Sequence, residues 1–240
     1  IGVGTSNGAP TADINGITRP APANTVPDMG AYENALGEPL QQTMYYVSTS
    51  GSSSGTGRSD SHMSSIQDAI NASSNGDTVL VSAGTYTENI NFNGKNIVVG
   101  SLYITTADTS HISGTVIDGD MSGPVARFEN GETNDAQLVG LTLRNGWCGI
   151  LIESHGPYLK NLIVRDNGSV YEGSGLYGFE PTLSFILDGC TFINNNYADY
   201  VLSMLNIHND VPQRFYTIRN TKIINNLPIH GAVRCDGENA

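Results

Sequence analysis

Positive charge is scarce in this chain: 11 Lys plus Arg stand against 23 Asp plus Glu, a net charge of −12 over 240 residues. Such a surface repels phosphate backbones and anionic lipid, which argues against nucleic acid or an anionic membrane as partner. Long apolar runs are missing as well. No stretch of about 18 apolar residues occurs, so no segment reads as a membrane-spanning helix. An initiator Met and a charged start followed by an apolar stretch are also lacking, and the chain reads as a mature or excised piece. Cysteine is limited to Cys148, Cys190 and Cys235, an odd number that cannot complete a disulfide framework. Cys190 reads as a small buried hydrophobe, whereas Cys148, in the corner NGWCG, reads as exposed and open to pairing between chains. Tryptophan occurs once, at Trp147. Glycine is abundant instead: its 28 residues exceed the usual share of about 7% and imply many tight corners.

One short phrase recurs four times: GLTLRN at 140–145, NLIVRD at 161–166, GCTFIN at 189–194 and NTKIIN at 220–225. The copies start 21, 28 and 31 residues apart, which is a coil length and not a domain length. A second phrase follows each: GILIE at 149–153, GLYGFE at 175–180, YVLSML at 200–205 and GAVRCD at 231–236, with an earlier instance, PVARFE, at 124–129. Each coil therefore holds at least two strands, and like strands of successive coils pair in parallel at about 4.8 Å. Leu141, Leu162, Cys190 and Thr221 then form one column, and Leu143, Val164, Phe192 and Ile223 the next. Asn145, Asp166, Asn194 and Asn225 form a third, at the corner, where stacked amides can bond one another and the bent backbone. The alternative is four independent turns that happen to favour Asn.

Around this centre the chain divides in two. Residues 1–34, rich in Gly, Ala, Pro, Thr and Asn, read as turn-laden, and 35–43 as a linker stiffened by Pro39. In the second part, YYVSTSG gives a strand, and SSIQDAINA places Ile66, Ala69 and Ile70 on one face of a helix capped by Ser61 or Ser64. Coils follow from Val79, with KNIVVG closing the first coil, and LYIT, TVIDGD and ARFE assigned to the second.

The run YYVSTSG, SSIQDAI and GDTVLVSAGTYTENINFNGKNIVV resembles the opening of pectate-lyase-like right-handed parallel β-helix proteins. The segment ADINGITRPAPANTVPDMGAYEN resembles the closing segment of bacterial secreted β-helix proteins, with its D-M-G-A-Y-E ending. The resemblance implies an all-β right-handed parallel β-helix whose opening helix, within 61–73, covers the first coil. It implies two parts: 1–43 as the closing segment of a preceding unit plus linker, and 44–240 as a β-helix, expected to be truncated or continued beyond residue 240 because a solenoid's last apolar layer would otherwise face water. It also implies an extracellular or cell-surface location and a tandem array in which adjoining units or neighbouring copies are the partners.

Candidate chemistry is sparse. Lyases of this scaffold combine acidic calcium ligands with an Arg or Lys base, and the related hydrolases use N-T-D, D-D, G-H-G and R-I-K motifs; none is present as such, and Ser154-His155-Gly156 comes nearest. Asp118 and Asp120 in IDGD are a candidate acid–base pair, or simply turn residues. Glu129, Glu153, Glu180 and Asp236 end four of the five second phrases, YVLSML ending in Leu205 instead. Carboxylates stacked at about 4.8 Å repel, so they either splay into water or hold a calcium ion. Arg127 and Arg234 occupy a neighbouring column. Trp147, Tyr158, Tyr171, Tyr177, Tyr197 and Tyr200 are candidate sugar-stacking rings, with Trp147, Arg144 and Arg165 as the expected contact edge. Asn71-Ala-Ser and Asn167-Gly-Ser are glycosylation sequons. The leading expectation is a non-enzymatic structural segment of a repeat protein that assembles into fibres or contacts glycans. A polysaccharide lyase and a carbohydrate-binding adhesin module are the rivals.

Overall fold

The computed structural model describes residues 10–16, 18–19, 43–153, 156–168, 173–179, 184–196, 198–205 and 216–235, the side chains of Leu205 and Cys235 excepted. The chain divides into two units, Ile1–Gln42 and Thr43–Ala240. In the first, Ala12 and Thr18 form an antiparallel bridge, and the Asp13 carboxylate closes the turn by accepting from Asn15 N–H at 2.8 Å. The D-M-G-A-Y-E segment and residues 35–42 lie outside the described residues.

The second unit is a right-handed parallel β-helix. Strand β1 (Met44–Ser52) and helix α1 (Ile66–Ala72) open it. Six coils of three strands follow among the described residues: β2 (Thr78–Val81), β3 (Gly84–Thr87) and β4 (Ile90–Asn91); then β5 (Val98–Ser101), β6 (Thr115–Asp118) and β7 (Ala126–Phe128); then β8 (Gln137–Val139), β9 (Thr142–Arg144) and β10 (Ile150–Ile152). The fourth holds β11 (Tyr158–Lys160), β12 (Ile163–Arg165) and β13 (Gly173–Phe179); the fifth β14 (Phe185–Asp188), β15 (Thr191–Ile193) and β16 (Tyr200–Leu205); the sixth β17 (Tyr216–Arg219), β18 (Lys222–Ile224) and β19 (Gly231–Cys235). First strands join β1 in sheet A, second strands form sheet B and third strands sheet C, and every strand pair is parallel. KNIVVG thus opens the second coil and does not close the first. LYIT is not a strand: Tyr103–Thr106 is the short helix α2, inserted with α3 (Ser110–Gly114) between β5 and β6.

The repeated phrase has a backbone explanation. Its first position, Gly140, Asn161, Gly189 or Asn220, has φ of 51–70°, and its sixth, Asn145, Asp166, Asn194 or Asn225, has φ of 51–55°. Gly and Asn enter this left-handed region at least cost, so both ends of the phrase are corners. Between them, alternation sends the second and fourth residues inward. Leu141, Leu162 and Cys190 are buried, and Leu143, Val164, Phe192 and Ile223 pair in register.

Helix α1 closes the lower end with Ile66, Ala69 and Ile70 fully buried. Its N-cap is Ser65, whose Oγ accepts from Asp68 N–H at 3.1 Å, and neither Ser61 nor Ser64. The first coil clamps it from both ends. The Glu88 carboxylate accepts from Ser65 Oγ, Ile66 N–H and Gln67 N–H, each at 3.0 Å, and Lys95 Nζ donates to the carbonyls of Ile70, Asn71 and Ser73, each at 2.7 Å. An anion at the N-terminus and a cation at the C-terminus match the helix dipole and satisfy orphan backbone groups.

Candidate functional site

Sheet C carries an outward column, Asn91, Arg127, Leu151, Tyr177, Ser203 and Arg234, running along the stack axis. Two residues further along the strands, Glu129, Glu153 and Phe179 form a second column. These side chains, with the corner before β10, enclose a cleft of about 340 Å³ lined by Pro124, Arg127, Trp147, Cys148, Leu151, Glu153, Tyr177 and Phe179.

The corner NGWCG places Trp147. Trp147 N–H donates to Gly123 C=O at 2.9 Å, and Val125 N–H donates to Cys148 C=O at 3.0 Å, which ties the corner to the preceding coil. Gly146 is required by close approach: a Cβ there would stand 2.6 Å from both Cys148 O and Val125 Cγ2. Trp147 is 41% exposed over the cleft, while Tyr177 and Phe179 pack ring to ring with centroids 5.2 Å apart. Arg127 lies 3.9 Å from Glu129, whose other oxygen accepts from Asn91 Nδ2 at 2.5 Å. Aromatic surface with one guanidinium and one carboxylate at its border suits a ligand that has apolar faces and hydroxyl edges.

Of the expected carboxylate column, Glu129 and Glu153 are among the described residues, and pairing Ile152 with Gly178 puts Phe179 beside Glu153. GLYGFE holds one residue more than GILIE, and the ladder counts from the glycine, not back from the acid. Gly149 and Gly175 anchor that count, because a Cβ at either would meet Val164 Cγ1 at 2.3 Å or Phe192 Cδ1 at 2.6 Å. Glu180 and Asp236 themselves lie outside the described residues. What remains for a calcium ion is Glu129, engaged by Asn91, and Glu153. Among the described residues no three His, Cys, Asp or Glu side chains converge on one point.

Arg144 and Arg165 are neighbours in register, but on sheet B, so the structure does not bring them to Trp147. Arg144 Nε bonds Asp118 Oδ2 at 2.8 Å, and Arg165 bonds Asp166. Asp118 also accepts from Asn145 Nδ2 at 2.9 Å and from Asp120 N–H at 3.1 Å. Its partial burial pushes the pKa up, but these hydrogen bonds and the Arg144 charge outweigh that and leave it below 3.8. A carboxylate so occupied is a poor proton carrier at neutral pH, and Asp120 stands in an exposed left-handed turn, φ 47°. Asp118 is thus paired with Arg144, while Asp120 holds the turn that follows it.

The corner column of Asn145, Asp166, Asn194 and Asn225 stacks, but the hydrogen-bonded amide ladder runs one residue later. Gly146 N–H donates to Asn167 Oδ1 at 2.9 Å, Asn167 Nδ2 to Asn195 Oδ1 at 3.0 Å, and Asn195 Nδ2 to Asn226 Oδ1 at 3.2 Å. Each Asn also donates back to the preceding coil, to Leu143 O, Val164 O or Phe192 O. Asn167 is 2% exposed, so its sequon is sealed in the fold, while Asn71 is exposed. The pairs DN at 166–167 and NN at 194–195 and 225–226 held the signal, since Asp166 has no amide to donate.

Cys148 is buried at 4% exposure under Trp147, not exposed, and burial pushes its thiol up to about 12. Tyr158 is committed to Asp188 at 3.0 Å, and Tyr200 lies under Arg234 and near His230. Ser154, His155, Tyr171 and Tyr197 lie outside the described residues. Comparison with protein-family models, curated proteins and solved structures gave no match.

Proposed function

We propose that this chain is a glycan-binding β-helix segment of an extracellular or cell-surface repeat protein, and that the sheet C cleft is its contact site. The observation carrying this reading is the convergence of Trp147, Tyr177 and Phe179 on one concave patch bordered by Arg127 and Glu153. Flat rings stack on sugar faces, and the two charged groups offer hydroxyls both donors and acceptors. The site is pinned at both ends, by the Gly123–Trp147 bond and by the sheet register, so little ordering cost accompanies binding. Screening the chain against immobilised glycans tests it. Trp147→Ala should weaken any hit about tenfold, roughly 1.4 kcal/mol. Unchanged binding in that variant would move the site elsewhere.

The lyase reading would take Asp118, bonded to Arg144 and Asn145, and Asp120 as its acid and base. Unsaturated products released from acidic polysaccharide would favour it.

A further inference from the structure

We infer that Asn89, in the first coil, is a positioning residue for the cleft: its amide fixes the turn against which Trp147 and Arg127 are set; this rests on the glycan-binding reading. Asn89 stands at the corner between β3 and β4, and the equivalent corner of the second coil, between β6 and β7, is the longer turn from Gly119 to Pro124. Asn89 Nδ2 donates to Pro124 C=O at 2.9 Å, and its Oδ1 accepts from Ser122 Oγ. From the other side the turn meets the corner that carries Trp147. Gly119 N–H donates to Arg144 C=O at 2.9 Å and Met121 N–H to Asn145 C=O at 2.7 Å, while Gly123 C=O receives Trp147 N–H at 2.9 Å. The turn is thus held between Asn89 below and the Trp147 corner above. It has no slack: a Cβ on Gly119 would stand 3.1 Å from both Asn89 Nδ2 and Gly146 Cα, and one on Gly123 would stand 3.0 Å from Arg127 Nη2. Gly123 therefore lets the guanidinium of the cleft lie against the turn. Asp120 and Met121 are both non-glycine residues at positive φ, 47° and 53°. Such backbone persists only where its surroundings over-determine it, and Asn89 is part of those surroundings. The buried amide ladder does not substitute for it: among the described residues that ladder ends where Asn167 accepts from Gly146 N–H, one coil above the turn. A loose turn would leave Trp147 and Arg127 to be ordered by the ligand, at a loss of affinity.

Trp147 is the only tryptophan, so intrinsic fluorescence of the full chain reports this corner without a label. Acrylamide quenching is measured on wild type, Asn89→Ala, Ser122→Ala and, as a control, Lys95→Met, which loosens α1 from the same first coil without touching the turn. Ser122 is exposed on the turn, so Ser122→Ala carries the test if Asn89→Ala fails to fold. Each protein is then titrated with cellohexaose, xylohexaose and mannohexaose. The expected result is a quenching constant about twofold higher in Asn89→Ala and Ser122→Ala and unchanged in Lys95→Met. Whichever hexasaccharide binds wild type should bind both turn variants about fivefold more weakly, and Lys95→Met as tightly as wild type. An equal rise in quenching in Lys95→Met would reduce Asn89 to a general stabiliser and overturn the inference. Quenching or affinity left at the wild-type value in the turn variants would overturn it too, and each of these results leaves the glycan reading standing. No spectral change with any hexasaccharide in wild type would overturn the glycan reading alone, and the quenching constants would still decide whether Asn89 positions Trp147.

Discussion

At the scale of single residues, two adjacent columns of polar residues do different work. Asn194 and its equivalents supply a left-handed corner, whereas Asn195 and its equivalents supply hydrogen bonds inside the stack. Asn194→Gly should be neutral or slightly stabilising, because glycine has no Cβ to strain at φ 55°, and Asn194→Ala should cost about 1 kcal/mol, because alanine keeps the Cβ but loses the short polar side chain that eases the left-handed corner. Asn195→Ala should cost more, about 3 kcal/mol, because Asn167, Val164 and Asn226 each lose a buried partner. Urea midpoints for the three variants would check the order; equal losses at both positions would contradict this division of labour. The titrating groups make a second prediction. Burial raises the thiols of Cys148 and Cys190 to about 12 and about 11 and the Tyr86 hydroxyl to about 12, from ordinary values of 9.0 and 10.0. The folded state holds these protons more tightly, so their contribution is present below about pH 9 and is lost as pH rises through the folded values. Asp118 and Asp188 titrate below 3.8, Asp188 through its bonds from Asn220, Arg219 and Tyr158, so their contribution is present above that pH and is lost as pH falls. Thermal melts should be flat between about pH 5 and 9 and fall on both sides. A native chain should leave Cys148 and Cys190 unreactive toward a thiol reagent at pH 8 until denaturant is added.

At the scale of elements, α1 is too short to persist alone, and its stability comes from the coil beneath it. Glu88 and Lys95 are part of that coil, so the lid and the first turn of the solenoid form one unit. Glu88→Gln should cost about 1–2 kcal/mol, since three donors lose a charged acceptor. Lys95→Met should act similarly at the other end. Hydrogen exchange of the Ile66–Ala72 amides is the specific readout, and both variants should speed it while the sheet B amides of later coils stay protected. Uniform loss of protection throughout would mean that lid and coils unfold together.

At the scale of the whole molecule, the cleft spans three coils, with Arg127 from the second, Trp147, Leu151 and Glu153 from the third, and Tyr177 and Phe179 from the fourth. A bound glycan therefore bridges layers that otherwise meet only through neighbouring strands. Ligand at about 100 times its dissociation constant should stabilise the fold by about 2.7 kcal/mol, visible as a raised Tm that Trp147→Ala abolishes. Equal shifts in wild type and variant would place the glycan on another surface.

The sequence by itself determined the solenoid, its parallel stacking and the inward columns, because side-chain alternation and left-handed corners are local requirements that recur in every coil as Gly or Asn, then alternating residues, then Asn or Asp. Tertiary structure alone decided which outward residues meet. Phe179 comes to stand beside Glu153 because the ladder pairs Gly178 with Ile152, a register that the phrase GLYGFE alone does not reveal. Arg144 and Trp147, three residues apart in the chain, part company because a left-handed corner at Asn145 turns the backbone from sheet B toward sheet C. Register and corner direction are properties of paired coils, and no single phrase carries them.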